Sequence, residues 1–449
     1  MWRMISEGLQ RWKRSSGRRV LLLRGARQVG KTYSVRELAK EFKTSIEVNF
    51  YEQPELKKFF DGSLKAQPIA KQIEGYFGTR LIPGESLLFF DEIQACPNAL
   101  TALRFFHEQM PDLHVIAAGS LLEFALAEIP SFGLGRIESM FMYPLTVDEY
   151  LRAIDSSVFA DLVAEADCNK PLSEPLHRKA IQLIRSYSLV GGLPAVVKAY
   201  QESMDLNVCG ALLADHVVGY EDDFAKYKTK IAPEKLSATL RAVAFQAGSK
   251  FVFSRINPGG SVSGYDQALE LLCLAGLAHR VYRTAAGGIP LGSQINPKKF
   301  KVLPLDSGIY NSLLGLRPSN ILLKDETTFV NSGAIAEVLC GLELISNSSP
   351  SQKGQAFYWD RDEPSGNAEV DYVVQEGQAI VPIEVKAGTR GQMQSLYHFL
   401  RTKSLKRGIR SSLEPFSSFP APGGEELIEV VPLYAIGHYL KRKIEDKIQ

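Results

Sequence analysis

Eight consecutive residues, Gly25-Ala26-Arg27-Gln28-Val29-Gly30-Lys31-Thr32, follow the apolar run "VLLL" and lead into the helical pattern "TYSVRELAKEF". A glycine-framed turn between a strand and a helix aims several backbone N–H groups at one spot, which suits the oxygens of a phosphate chain. The spacing G-x-x-x-x-G-K-[ST] adds Lys31 to reach the outer phosphates and the Thr32 hydroxyl to ligate Mg2+. A second apolar run, "SLLFF", ends in Asp91-Glu92. One carboxylate there would hold the metal ion, directly or through water, and the other would orient and polarise an attacking water. Ser120, after Gly119 at the end of the next apolar run, is placed beside these carboxylates as a sensor of the terminal phosphate. Arg136 precedes the last run of this region. It reads either as an arginine finger for its own or a neighbouring subunit, or as a surface cation.

A second constellation lies near the C-terminus, where Asp371 is followed by Glu384-Val385-Lys386 in a D…E-x-K pattern. Two carboxylates on one Mg2+, with a lysine beside the attacking water, suit phosphodiester hydrolysis. If "AEVDYVVQEGQAIVPIEVK" is a hairpin turning at Glu376-Gly377, Asp371 lies opposite Pro382, and Glu384 and Lys386 share its face. The same residues also fit a charged strand edge on a fold that has lost its catalytic site.

These residues need elements to position them. From Val20 to Tyr143, "VLLL", "IEVNF", "LLFF", "HVIAA" and "MFMY" alternate with helical patterns, as expected of buried parallel strands in a doubly wound α/β core spanning residues 1–145. Strand signals vanish over 146–230, where "VDEYLRAI", "EPLHRKAIQLIRSYSLV" and "PAVVKAYQES" predict a helical lid or connector interrupted at Gly191-Gly192. Over 231–318, three helical segments precede "AHRVYRT", a Gly-Gly turn and "KKFKVLPLD". That is the order of a winged helix. Its third helix carries Asp266 and Glu270 and no Lys or Arg. The cations Arg255, His279, Arg280, Arg283, Lys298, Lys299 and Lys301 flank it, either as a phosphate-contacting wing or as a solvated hairpin. Residues 319–449 mix a helix with strands, a second α/β unit.

In order, "RGARQVGKT", "LLFFDEIQ", "GS", "GR" before "YPLTVDEYL", "GGLP", and then "YWD", "EVDYVV" and "IVPIEVKAG" resemble the bacterial and archaeal AAA-type P-loop ATPases that carry a C-terminal domain of unknown function. The resemblance spans nearly the whole chain. It implies ATP as ligand with Mg2+, ATP hydrolysis, and a restriction-endonuclease-like C-terminal fold. Such a fold commonly supplies a further acid from its first helix, and Glu337 in "GAIAEVLCGL" is the candidate. No physiological substrate is implied. Leu121 stands where a second small polar residue commonly follows "GS".

Composition narrows the class. Of 449 residues, 45% are hydrophobic, and 52 Lys and Arg against 50 Asp and Glu leave a net charge of +2, so any nucleic-acid surface must be local. Five scattered cysteines suggest neither a zinc site nor a disulfide framework and fit a reducing cytoplasm. The opening residues lack the apolar core of a secretory leader, and no run is long enough to span a bilayer. The expectation is a cytoplasmic ATP-driven switch with a nuclease-like module acting on DNA or RNA. The alternative is a nucleotide-gated binding or signalling protein that recruits a protein partner. Oligomerisation is compatible with either.

Overall fold

Five strands, Val20–Arg24 (β1), Thr44–Asn49 (β2), Ser86–Asp91 (β3), His114–Ala118 (β4) and Ile137–Phe141 (β5), pair in parallel in the order β2-β3-β4-β1-β5. The computed structural model describes residues 1–120, 122, 123, 126, 135–227, 231–316, 332–361, 368–388 and 393–445. Helices pack both faces of this sheet, so β1, β3 and β4 are apolar without alternation, and Leu21, Leu22 and Leu23 have no exposure. Among the helices are Ile5–Arg14 (α1), Lys31–Ala39 (α2), Ala66–Phe77 (α3) and Pro97–Gln109 (α4). Phe90 on β3 touches the rings of Phe50, Phe60 and Phe106, which locks α4 onto the sheet. The edge strand β5 begins three residues before the expected "MFMY". Its first residues, Ile137-Glu138-Ser139, are half-buried and mixed in polarity, so they carry no apolar run.

Contacts divide the chain into two units. One comprises Met1–Tyr143 with Leu274–Gly276 and Ser349–Lys353, and the other comprises Pro144–Cys273, Leu277–Ser348 and Gly354–Gln449. The second unit opens with helices. Val147–Ile154 (α5) begins with a capping box, Thr146 Oγ1 accepting from Glu149 N while the Glu149 carboxylate accepts from Thr146 N. Ser157–Glu165 (α6), Glu174–Val190 (α7), Pro194–Ser203 (α8) and Leu206–Asp223 (α9) follow. The Gly191-Gly192 break is architectural: Gly192 N donates to the buried Asp306 carboxylate and its carbonyl accepts from Leu145 N.

Pro233–Phe245 (α10) and Tyr265–Leu274 (α11) form as expected, whereas "FSRIN" makes only a 3-10 turn over Phe253–Arg255. The hairpin Ala278–Thr284 (β6) and Ile295–Pro304 (β7) is not a free wing. β6 also pairs in parallel with Ala356–Asp360 (β8), which places the hairpin at one edge of an eight-stranded sheet of order β12-β13-β11-β10-β9-β8-β6-β7. The remaining strands are Glu369–Glu376 (β9), Ala379–Val385 (β10), Arg407–Ser412 (β11), Ser417–Pro420 (β12) and Leu427–Pro432 (β13). Ser307–Leu313 (α12), Ser332–Ser346 (α13), Gln394–Thr402 (α14) and Ile436–Glu445 (α15) complete the unit. The expected boundary at 318/319 falls outside the described residues, as does Leu121, and that at 230/231 falls at their margin.

Candidate functional site

All five parallel strands of the first unit end at one edge, and the loop 25–32 leaves that edge from β1. Gly25 has φ 147°, and a side chain there would collide with the Met142 carbonyl, so only glycine lets the loop turn against the neighbouring segment. Arg3 pins the far side, its Nη1 donating to the Val29 carbonyl at 2.8 Å and its Nη2 to that of Tyr143 at 2.7 Å. Gly30, at φ 96°, hands the chain to α2, whose first residue is Lys31. The Lys31 ammonium is buried and donates to the carbonyls of Gly25 (2.8 Å) and Ala26 (2.7 Å). Burial pulls its pKa down to about 8 against the opposing fields of Glu92 and Asp91.

Thr32 Oγ1 donates to Asp91 Oδ2 at 3.0 Å, and Asp91 Oδ1 accepts from Glu92 N at 3.1 Å. Burial raises the Asp91 carboxyl to about 6, offset in part by the Thr32 bond. Glu92 takes a left-handed backbone at φ 50°, a conformation that costs a non-glycine residue about 1–3 kcal/mol and concentrates at functional sites. Its Oε2 accepts from Ser120 Oγ at 3.0 Å and from Gln94 Nε2. Ser120 therefore stands beside the carboxylates. Gln94, in "DEIQ", grips Glu92, and Gly119 leaves room for its amide oxygen. These donors and carboxylates fit a nucleoside triphosphate with Mg2+: Lys31 and the loop N–H groups for phosphate oxygens, Thr32 and Asp91 for the metal.

Arg136 is a correction. It precedes β5, whose Ile137 pairs with Val20 at the start of β1 and whose Phe141 pairs with Arg24 beside the loop. Five residues of strand, about 17 Å, separate it from the phosphate loop of its own chain. Arg136 instead pairs with Glu108 on α4. This placement does not support an arginine finger for the chain's own site. Arg24, at the end of β1, stands at the loop edge and pairs with Glu123.

In the second unit the β9–β10 hairpin turns at Gly377-Gln378, with Pro382 opposite Val373 and Ile383 opposite Tyr372. Asp371 therefore stands level with Glu384, two residues from the expected partner Pro382. The slip is even, so parity is kept. Asp371 Oδ2 accepts from Val385 N at 2.8 Å, and Lys386 Nζ donates to Glu384 Oε1 at 2.7 Å. Glu384 is 7% exposed and its Oε2 has no hydrogen-bond partner. Burial, then the nearby Asp371, pushes its pKa up to about 7.

Glu337 is paired with a lysine. Lys301, 1% exposed, places Nζ 2.6 Å from Glu337 Oε1 and 2.6 Å from Glu369 Oε1. This buried ammonium takes up the third acid, and among the described residues no group of three His, Cys, Asp or Glu is disposed to hold a metal ion. Lys301 is thus no wing contact. Arg283 is also internal, paired with Asp360, whereas Lys298, Lys299 and Arg255 remain exposed. Asp371 and Glu384 alone, with the free Oε2, fit one Mg2+ that keeps several waters, as Mg2+ commonly does.

Comparisons with known proteins add the following. Residues 17–151 match the family described as AAA domain, residues 181–320 a domain of unknown function (DUF8612), and residues 332–418 another (DUF4143). No curated protein matches the chain. Among solved structures, the Walker-type ATPase PABY2304 of Pyrococcus abyssi aligns at 16% identity and TM-score 0.43, covering 69% of this chain and 94% of that one. The ORC1 protein of Aeropyrum pernix in complex with DNA aligns at 11% identity and TM-score 0.27, covering 69% and 90%. The N-terminal region is an AAA-type ATPase-like domain, and no helix among the described residues is long and apolar enough to cross a membrane.

Proposed function

We propose that the chain binds ATP with Mg2+ at residues 25–32 and hydrolyses it. The observation that supports this most is the chain of contacts Thr32–Asp91–Glu92–Ser120, which brings a metal-ligating hydroxyl, two carboxylates and a sensor hydroxyl together at the end of the phosphate loop. Lys31 and the loop N–H groups hold the phosphate oxygens, and Thr32 and Asp91 hold the metal. Bound Mg2+ neutralises charge on the outer phosphates. Glu92, oriented by Ser120 and Gln94, takes a proton from water as that water bonds to the terminal phosphorus and ADP departs. A role for Arg136 remains only toward a neighbouring subunit, which would make the assembly an oligomer.

The nucleotide state then gates the C-terminal module. In this reading Asp371 and Glu384 hold one Mg2+ and Lys386 orients water for phosphodiester cleavage in DNA or RNA. The unpartnered Glu384 oxygen supports it. A second reading, a nuclease-like fold retained to recruit a protein partner under nucleotide control, is supported by the pairing of Glu337 with the buried Lys301. ATP turnover measured with and without DNA, beside a Mg2+/Mn2+ nicking assay on DNA and RNA, separates them. Stimulation and nicking abolished by Glu384→Ala favour the first. Partner capture that follows nucleotide state, with neither effect, favours the second.

A further inference from the structure

Three segments of the second unit line a cavity of about 530 Å³ that is open to solvent: the β6–β7 connection at Gly287-Gly288, the β9–β10 turn at Gln378, and the α14–β11 connection Lys403–Arg407. The volume falls within the range of small-ligand pockets, roughly 300–1,000 Å³. Three cations, Lys403, Lys406 and Arg407, line it, and no acidic residue does. Their states differ. Arg407 is anchored from behind by Glu376, whose carboxylate is fully buried, and by Glu429 at 3.4 Å. Lys403, half-buried, and Lys406, exposed, have no acidic partner among the described residues, so both line the cavity without a counter-charge. Bare glycine backbone forms the facing wall, and Ile380 and Leu405 add apolar surface.

A concave surface lined by one sign of charge raises the local concentration of anions. A purely inorganic anion would leave the apolar wall unused. We propose that this cavity is a second phosphate-binding site, built for a phosphorylated nucleotide unit, whether a free nucleoside monophosphate or one residue of a nucleic-acid single strand. Lys403 and Lys406 take the phosphate, and Ile380 and Leu405 face the sugar or base. The site shares no residue with the phosphate loop or the acidic cluster. Along β10 it lies about four residues, on the order of 13 Å, from Glu384.

The test uses the full chain carrying Lys31→Ala, which silences the N-terminal loop, and two probes read by fluorescence anisotropy: a labelled nucleoside monophosphate and a labelled dT12. Lys403→Glu/Lys406→Glu is expected to weaken binding at least tenfold. It should also flatten the log–log salt dependence of dT12 binding by about 0.7, since the two lysines hold one phosphate and each lost phosphate contact on a single strand removes about 0.7. Lys403→Arg/Lys406→Arg should preserve binding, and in the otherwise wild-type chain the charge reversal should leave ATP turnover unchanged. Equal binding of both probes identifies a free nucleotide as the ligand, and binding of dT12 alone identifies a strand. Asp371→Asn and Glu384→Gln should retain binding, so failure of the nuclease reading does not touch this result. The proposal is overturned if neither probe binds, or if the charge-reversed chain, with an unchanged melting curve, binds with the same affinity and salt slope.

Discussion

The hydroxyl of Thr32 lies 3.0 Å from Oδ2 of Asp91, joining the first turn after the phosphate loop to the end of β3. In the proposed site these are the two protein ligands of one metal ion. Thr32→Ala should weaken Mg2+-dependent ATP binding about 10- to 100-fold, the range of a hydrogen bond or ligand contact to a charged group. Thr32→Ser should keep most of it. Calorimetric titration of ATP with Mg2+ and with EDTA reads the difference. Equal affinities for Thr32→Ala and wild type in Mg2+ would remove Thr32 from the metal site.

Glu92 receives Ser120 and Gln94 on a single oxygen. Glu92→Gln should bind ATP normally and turn it over about 10²- to 10⁴-fold more slowly, the usual scale of a lost general base. Gln94→Ala leaves the carboxylate in place and loosens it. It should lower kcat several-fold without changing ATP affinity, and a Gln94→Ala enzyme with wild-type kcat would deny it a positioning role.

Lys301 sits between Glu337 and Glu369 with almost no exposure. Lys301→Met strands two carboxylates and should cost about 3–5 kcal/mol in chemical denaturation, the range for breaking a buried ion pair from one side. Lys301→Met/Glu337→Gln should recover part of that loss. If the single substitution is neutral, the ammonium is not the internal counter-charge described here.

Glu343 is wholly buried, accepting from Val147 N at 2.9 Å and Asn347 Nδ2 at 3.1 Å. Burial raises its carboxyl to about 8. The folded state then holds a proton that the unfolded state releases near the ordinary carboxyl pKa of about 4.3. Its favourable contribution is complete below that value and is lost as pH rises toward 8. The melting temperature should therefore fall across this window, and Glu343→Gln should flatten the decline. Glu337 and Glu384, also raised, leave a residual slope. Identical pH profiles for Glu343→Gln and wild type would contradict the assignment.

What could be read in advance follows a physical division. The phosphate loop and Asp91-Glu92 were legible because their chemistry is local in sequence: one turn, one strand end, fixed spacing. Hairpin parity was legible as well, since a two-residue slip leaves Asp371 and Glu384 on their faces. Long-range pairing was not. Arg136 reads as a finger or a surface cation from sequence, and only the strand register sets it at the far end of β1 from the loop; Lys301 reads as a wing lysine, and only the pairing of β6 with β8 carries the hairpin into the sheet. Gln94 had a signal in Gly119, whose missing side chain makes room for it, but that signal is visible only once the two are in contact.

The most direct measurement is phosphate release from ATP and Mg2+ by the purified full chain beside its Lys31→Ala variant. The account predicts steady turnover by the wild type, stimulated or not by nucleic acid, and none above background for Lys31→Ala. Equal rates for the two proteins, or no hydrolysis by the wild type with DNA, with RNA or alone, would contradict it.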